Sequence, residues 1–289
     1  MCRLFGMSSA PRRTCATFWL LEAPDSLSEQ SRQYPDGVGL GFFGADGTPK
    51  VHKAPVAAFE DRCFAEEAKW TESTTFLAHV RFASTGGLDK RNTHPFLQDG
   101  RLLAHNGVIE GLDELDAELG EYRRLVGGET DSERFFALIT RETRARGGDV
   151  AAGIEAAARW VAGNLPVYAL NIVLTTPREL WALRYPDTHE LHLLQRAAGG
   201  CHGGRHLDQS GSGGRMRVRS QDLAQVPSFV VASERMDDHP DWCPMEPGEL
   251  LHVGPGLVPT RRIVLPDEPA HRLSLADLRP EAAASQQVT

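Results

Sequence analysis

Met1-Cys2-Arg3-Leu4-Phe5-Gly6 opens the chain. Its apolar side chains form a short run that reads as a buried strand over residues 2–8, with a cysteine at its head. The Cys2 side chain is small, so removal of Met1 is expected to leave cysteine at the amino terminus. A free N-terminal cysteine holds a nucleophile and a base on one residue. Its thiol has a reference pKa of ~8.5 and its α-amine one of ~7.7–8.0, so the amine can take the thiol proton, directly or through a water. No histidine is then needed.

The chain around this start has 289 residues, with 41% hydrophobic and 24% charged side chains. That is ordinary globular composition, and it excludes disordered and collagen-like classes. Lys and Arg number 31 against 39 Asp and Glu, giving a net charge of −8. An acidic chain neutralises few phosphates, so neither nucleic acid nor an anionic membrane is the expected partner. No run reaches the ~20 apolar residues of a membrane helix, and the first apolar run is too short for a signal peptide. Cys2, Cys15, Cys63, Cys201 and Cys243 are odd in number and widely spaced. Free thiols in a reducing cytoplasm are the expectation, without a structural zinc site.

Further strands are predicted at 38–43, after the Tyr34-Pro35-Asp36-Gly37 turn, and at 74–83 and 101–105. A helix is predicted over 55–70 from Val56, Phe59, Cys63, Phe64 and Ala68. Thr130-Asp131-Ser132-Glu133 has the form of a capping box, and a helix follows it to about Arg146, where Gly147-Gly148 stops it. An Ala-rich helix over 150–162 precedes strands at 167–175, 179–184, 190–195, 228–232 and 249–253. Strands, then paired helices, then strands imply stacked sheets with helices outside rather than a βαβ array. Residues 1–262 read as one domain carrying an exposed Gly-rich loop at 197–222. Residues 263–289 read as a loosely held tail. Cys201, His202 and His206 in the loop are read as coincidence rather than a metal site.

Three segments sharpen the reading of Cys2: His79-Val80-Arg81-Phe82-Ala83-Ser84-Thr85-Gly86, Leu103-Ala104-His105-Asn106-Gly107, and Gly128-Glu129-Thr130-Asp131-Ser132-Glu133. Taken singly, Arg81 could be an ion-paired arginine, Asp131 a favourable charge at a helix start, and Asn106-Gly107 a turn. In order behind Met-Cys-x-Leu-x-Gly, and with Asp36-Gly37-Val38-Gly39 and Asn92-Thr93-His94-Pro95-Phe96, they are hard to explain as separate accidents. The series resembles the glutaminase domain of class II glutamine amidotransferases, which are N-terminal-nucleophile hydrolases. The likeness covers roughly residues 2 to 255. The Met-Cys-Arg start and Ala-His-Asn-Gly-Val segment are similar to a stand-alone branch, the ergothioneine-pathway γ-glutamyl amidohydrolases.

The chemistry explains the residue types. Arg81 has the planar fork that holds a carboxylate, and Asp131 suits an ammonium. The amide of Asn106 and the backbone N–H of Gly107 can meet an oxyanion. The resemblance implies the same roles: Cys2 as nucleophile, Asn106 and Gly107 as oxyanion hole, Arg81 and Asp131 as substrate clamp. Phe82 and Ser84 are candidate substrate-binding neighbours. The synthase members carry Thr-His where Ser84 and Thr85 stand, and stand-alone relatives carry Trp where Val38 stands. His79, His94 and His105 are read as structural. The implied fold is α+β, a four-layer αββα sandwich, and no metal or organic cofactor is implied.

With no room for a synthase domain, the expected activity is hydrolysis of a γ-glutamyl amide or glutamine. The alternatives are a glutaminase subunit that passes ammonia to a synthase partner and a retired γ-glutamyl-ligand binding protein.

Overall fold

The strand Arg3–Ser8 sends alternate side chains into two different cores. Phe5 and Met7 enter one with Phe18, Trp19, Phe64 and Phe76, whereas Leu4 enters another with Leu77, Leu102 and Val173. The strand is therefore covered on both faces, as its unbroken burial requires. The computed structural model describes residues 2–82, 87, 89–198, 207–210, 217–220 and 225–286.

Arg3–Ser8 pairs antiparallel with Thr75–Arg81 on one side and Ser228–Ala232 on the other. The first sheet runs Cys243–Pro244, His192–Arg196, Ser228–Ala232, Arg3–Ser8, Thr75–Arg81, Gly37–Phe43, Pro49–Ala54. The second runs Pro259–Ile263, Glu249–Val253, Leu180–Arg184, Pro166–Thr175, Arg101–Ile109, Phe96–Gln98. Leu4, Leu77, Leu102, Ala104, Val173 and Val231 fill the space between the sheets. Helices Asp131–Ala145 and Val150–Asn164 cover the outer face of the second sheet. The turn Phe18–Glu22 and helices Leu27–Gln30 and Arg62–Trp70 cover that of the first. The order is helices, sheet, sheet, helices: the four-layer αββα sandwich that the family resemblance implies.

Four local features differ from the sequence reading. The helix expected over 55–70 is Arg62–Trp70, because the Asp61 carboxylate accepts from the Cys63 and Phe64 N–H groups and caps it there. The capping box at Thr130 is half formed. Thr130 accepts from the Glu133 N–H, but the Glu133 carboxylate turns back to the Gly128 N–H at 2.6 Å. The strand expected to stop at 105 continues to Ile109, with Asn106 opposite Asn171 and Gly107 opposite Leu170. Pairing along a fully covered strand overrides the turn preference of Asn-Gly.

The tail is the fourth. Residues 263–286 are docked rather than loose. His271–Arg272 pairs in parallel with Pro166–Thr175, and Leu278 and Ala282 pack on Val108, Tyr168 and Ala169. Gln286 hydrogen-bonds His189 at 2.7 Å. Leu278 and Ala282, four apart, anchor a segment most of whose other residues stay exposed. Within the 197–222 loop, Leu207–Ser210 and Arg217–Ser220 form a two-stranded ladder. Cys201, His202 and His206 lie outside the described residues. Among the described residues no helix is long and apolar enough to cross a membrane.

Candidate active site

Alternation along Arg3–Ser8 and Thr75–Arg81 decides which side chains meet. Arg3 stands opposite Val80, and Val80 belongs to the core under the outer helices. Cys2 and Arg81 therefore take the other side, at the end of the space between the sheets. Cys2 is 8% exposed. The Phe82 N–H donates to its Sγ, and the Phe82 carbonyl accepts from it, both at 3.3 Å. The ring of Phe82 instead leaves toward Tyr34, 6.0 Å away, and the outer core. Phe82, proposed from sequence as a substrate-binding residue, thus meets the thiol through its backbone.

Asn106 comes from the facing sheet. Its Nδ2 donates to the Cys2 carbonyl at 3.0 Å, and its Oδ1 is buried without a hydrogen-bond partner among the described residues. The candidate oxyanion donor and the candidate nucleophile are joined directly across the two sheets. Gly107 follows at a point where no side chain fits: a Cβ there would lie 1.9 Å from the Ala169 carbonyl oxygen. Gly39, in the Asp36-Gly37-Val38-Gly39 segment, is equally constrained, with a Cβ position 1.7 Å from the His94 carbonyl oxygen. These glycines let the strand backbones approach the Ala169 and His94 carbonyls closely.

Arg81 is 4% exposed and donates Nη1 to the Gly87 carbonyl at 3.1 Å. Burial pulls its pKa down, and Cys2, Asp36 and Asp131 hold it up. Asp131 is buried at the start of the Asp131–Ala145 helix. Its Oδ2 accepts from the Ile109 N–H at 2.9 Å, and its Oδ1 from the Ser132 hydroxyl at 3.4 Å. A carboxylate has about four acceptor positions, so these two bonds leave capacity for a cation. Cys2, Arg81, Asn106 and Asp131 thus gather in one corner, while Ser84 lies outside the described residues.

Asn92 was not singled out from sequence for a role. Its Nδ2 donates to the Gly87 carbonyl at 3.2 Å, the same acceptor that Arg81 uses. Its Oδ1 accepts from the Glu129 N–H at 2.9 Å. It ties the Arg81 loop to the segment leading into Asp131, a link between motifs 37 residues apart that no local pattern reveals.

Burial pushes the Cys2 thiol up, against the opposing pull of the Phe82 N–H and of Arg81 and Arg3. The thiol is held protonated and needs a base. The buried histidines do not offer one. Burial takes His79 down to about 3 and His94 well below 6.5, and it lowers His105 while Asp131 opposes. The His79 and His94 rings pack 4.2 Å apart, and His94 lies 4.7 Å from Phe96.

The pair makes the fold acid-sensitive. A histidine that is neutral when folded and titrates near its ordinary value when unfolded contributes its full stability above about 6.5. That contribution is lost progressively as pH falls toward 3, because the unfolded chain binds the extra proton. His79 alone is expected to cost roughly 2 kcal/mol on going from pH 7 to pH 5. Urea unfolding at both pH values checks this: the midpoint should fall markedly at pH 5, and less in His79→Phe.

One family of known proteins matches most of the chain. A family model, Glutamine amidotransferases class-II, matches residues 1–273. An uncharacterized protein of Methanocaldococcus jannaschii is 30% identical over 246 residues, which is 78% of this chain and 63% of that one. The chain thus spans less than two thirds of that relative's length. The Escherichia coli K12 protein YafJ, named as a glutamine amidotransferase, is 27% identical over 86% of this chain and 96% of its own length. Among solved structures, a glutamine aminotransferase class-II domain protein from Silicibacter pomeroyi superposes with a TM-score of 0.60 at 19% identity. It covers 92% of this chain and 100% of that one.

Proposed function

Because the chain belongs to the class II glutamine amidotransferases, we propose that it is an amidohydrolase cleaving the γ-glutamyl amide bond of glutamine or of a γ-glutamyl amine. The observation that carries this reading is the junction of Cys2 with the Phe82 backbone, Asn106 and the Arg81 corner.

Removal of Met1 frees the Cys2 α-amine. Arg81 takes the substrate α-carboxylate through two parallel hydrogen bonds, and Asp131 takes its α-ammonium. The thiol passes its proton to the α-amine as Sγ attacks the γ-carbonyl carbon. Asn106 Nδ2 turns from the Cys2 carbonyl to the developing oxyanion, joined by the Gly107 N–H. The C–N bond then breaks, and the α-ammonium gives its proton to the departing amine. A γ-glutamyl thioester remains on Sγ. Water, deprotonated by the same amine, attacks the thioester and releases glutamate and the free thiol. Ser84 is proposed to line the pocket beside Arg81.

The leaving amine distinguishes hydrolysis of a bulky γ-glutamyl amide from supply of ammonia to a synthase. The docked segment around Leu278 and Ala282 supports the first. It packs on Val108, two residues beyond Asn106, and adds protein surface on that side of the site. The test is glutamate release from glutamine and from a panel of bulkier γ-glutamyl amides, with Met1 removal checked by intact mass. A higher kcat/KM for a bulky amide is expected. Release from glutamine alone, or only with an added synthase, assigns the protein to ammonia supply. No release from any of them, with Met1 gone, overturns the enzymatic reading.

A further inference from the structure

Arg3 is the residue after the nucleophile, yet it faces away from the space between the sheets. It lies under the outer layer and is 3% exposed. Its Nη2 donates to Tyr34 Oη at 2.8 Å and pairs with Glu234 Oε1 at 2.5 Å. The guanidinium carbon sits 4.4 Å from the Tyr34 ring centroid, and that ring abuts Phe82, whose backbone holds the thiol. Glu234 follows Ser233, which is bonded to both backbone groups of Leu4: the Leu4 N–H donates to Ser233 Oγ at 2.9 Å and the Ser233 N–H to the Leu4 carbonyl at 3.1 Å. A buried cation is thus fixed directly behind the first residues of the strand.

This position bears on the base. An ammonium cannot accept a proton, and an ordinary α-amine with a pKa of ~7.7–8.0 is mostly protonated at neutral pH. A nearby positive charge disfavours that protonation. Two guanidinium groups act on Cys2, those of Arg81 and Arg3. In the proposed reaction Arg81 gains the substrate carboxylate as a new counter-charge, whereas Arg3, on the other side of the sheet, keeps throughout the one partly exposed counter-charge of Glu234.

We propose that Arg3, pinned by Tyr34 and Glu234, is a positioning residue whose fixed charge keeps the Cys2 α-amine unprotonated, ready to take the thiol proton. This rests on the reading of Cys2 as an N-terminal nucleophile. Other charged and titratable groups among the described residues also act at this corner. Asp36 and Asp131 face Arg81. Glu234, with a side chain 36% exposed, is the partial counter-charge to Arg3. Asp25 sits beside Glu234 and Arg3, its carboxyl raised by burial and by Glu234. His189, which also feels Arg3, is lowered by burial and carries no charge at neutral pH.

The experiment is the pH profile of kcat/KM for glutamate release by the Met1-processed protein, whose acidic limb reports the base of the free enzyme. Arg3→Met is expected to move that limb up by about 0.5–1 pH unit, the effect of losing one nearby positive charge. Arg3→Lys is expected to leave it in place. Glu234→Gln, which strips the counter-charge, is expected to move it down. A purely structural Arg3 lowers kcat without moving the limb, and Met and Lys variants with the same limb overturn the proposal. If Arg3→Met does not fold, an unmoved limb in Glu234→Gln overturns it alone. Activity retained by Cys2→Ala removes the nucleophile reading itself. A Cys2-dependent limb that ignores these substitutions sinks only the role of Arg3.

Discussion

Cys2→Ala is expected to lower kcat/KM for glutamate release by at least about 10⁴-fold while leaving the fold intact. Alanine keeps the small side chain at a site that is 8% exposed. In the proposed reaction the loss is therefore chemical, because no remaining group can form the thioester. The contacts made by Asn106 and Ile109 go to the Cys2 carbonyl and to Asp131, and both acceptors survive the substitution. The Tm should shift little. Mass spectrometry after brief incubation with a γ-glutamyl diazoketone should place a single adduct on Cys2 in the wild type and none in the variant. Wild-type-like glutamate release by Cys2→Ala would move the chemistry to another residue. Protein that retains Met1 should resemble the variant in rate although its thiol is present, since its α-amine is tied up in a peptide bond.

The second large effect is expected from Asn106→Ala, at roughly 10²–10³-fold in kcat. Asn106 is 1% exposed, and its Nδ2 reaches the Cys2 carbonyl at 3.0 Å from the opposite sheet. Loss of that amide removes an oxyanion donor and also the only described side-chain bond to the Cys2 carbonyl. KM should change little, because the proposed reaction gives recognition of the glutamyl head to Arg81 and Asp131. Steady-state kinetics separates the two. An unchanged kcat with a raised KM would make Asn106 a binding residue and take it out of the oxyanion role.

These predictions draw on residues that differ in how far the sequence exposes them. Arg81, Asn106 and Asp131 carry functional groups suited to a carboxylate, an oxyanion and an ammonium, and their order along the chain is distinctive. Phe82 was legible only as a neighbour of Arg81. Its backbone, which holds the thiol, carries no identity that a sequence can display. Asn92 and Arg3 act through partners 37 and 231 positions away, Glu129 and Glu234. No local spacing encodes such pairs.

The sequence by itself determined the layers. Short apolar runs bounded by turn residues gave the strands, the Thr130 cap and the apolar run behind it gave the helix to about Arg146, an alanine-rich stretch gave the one over 150–162, and stacked sheets followed from their order. These signals are local, and burial on one or both faces writes them directly into residue type. The tertiary structure decided what depends on a partner. It carried the Asn106-Gly107 strand on to Ile109, because Pro166–Thr175 pairs along its whole length. It docked Leu278 and Ala282, because Val108 and Tyr168 present an apolar face to them. It set Arg3 behind Cys2 with Glu234 beside it, because antiparallel pairing brings the end of a distant strand to the start of the first. Propensity and pattern are properties of a segment, whereas register and charge pairing belong to two segments at once.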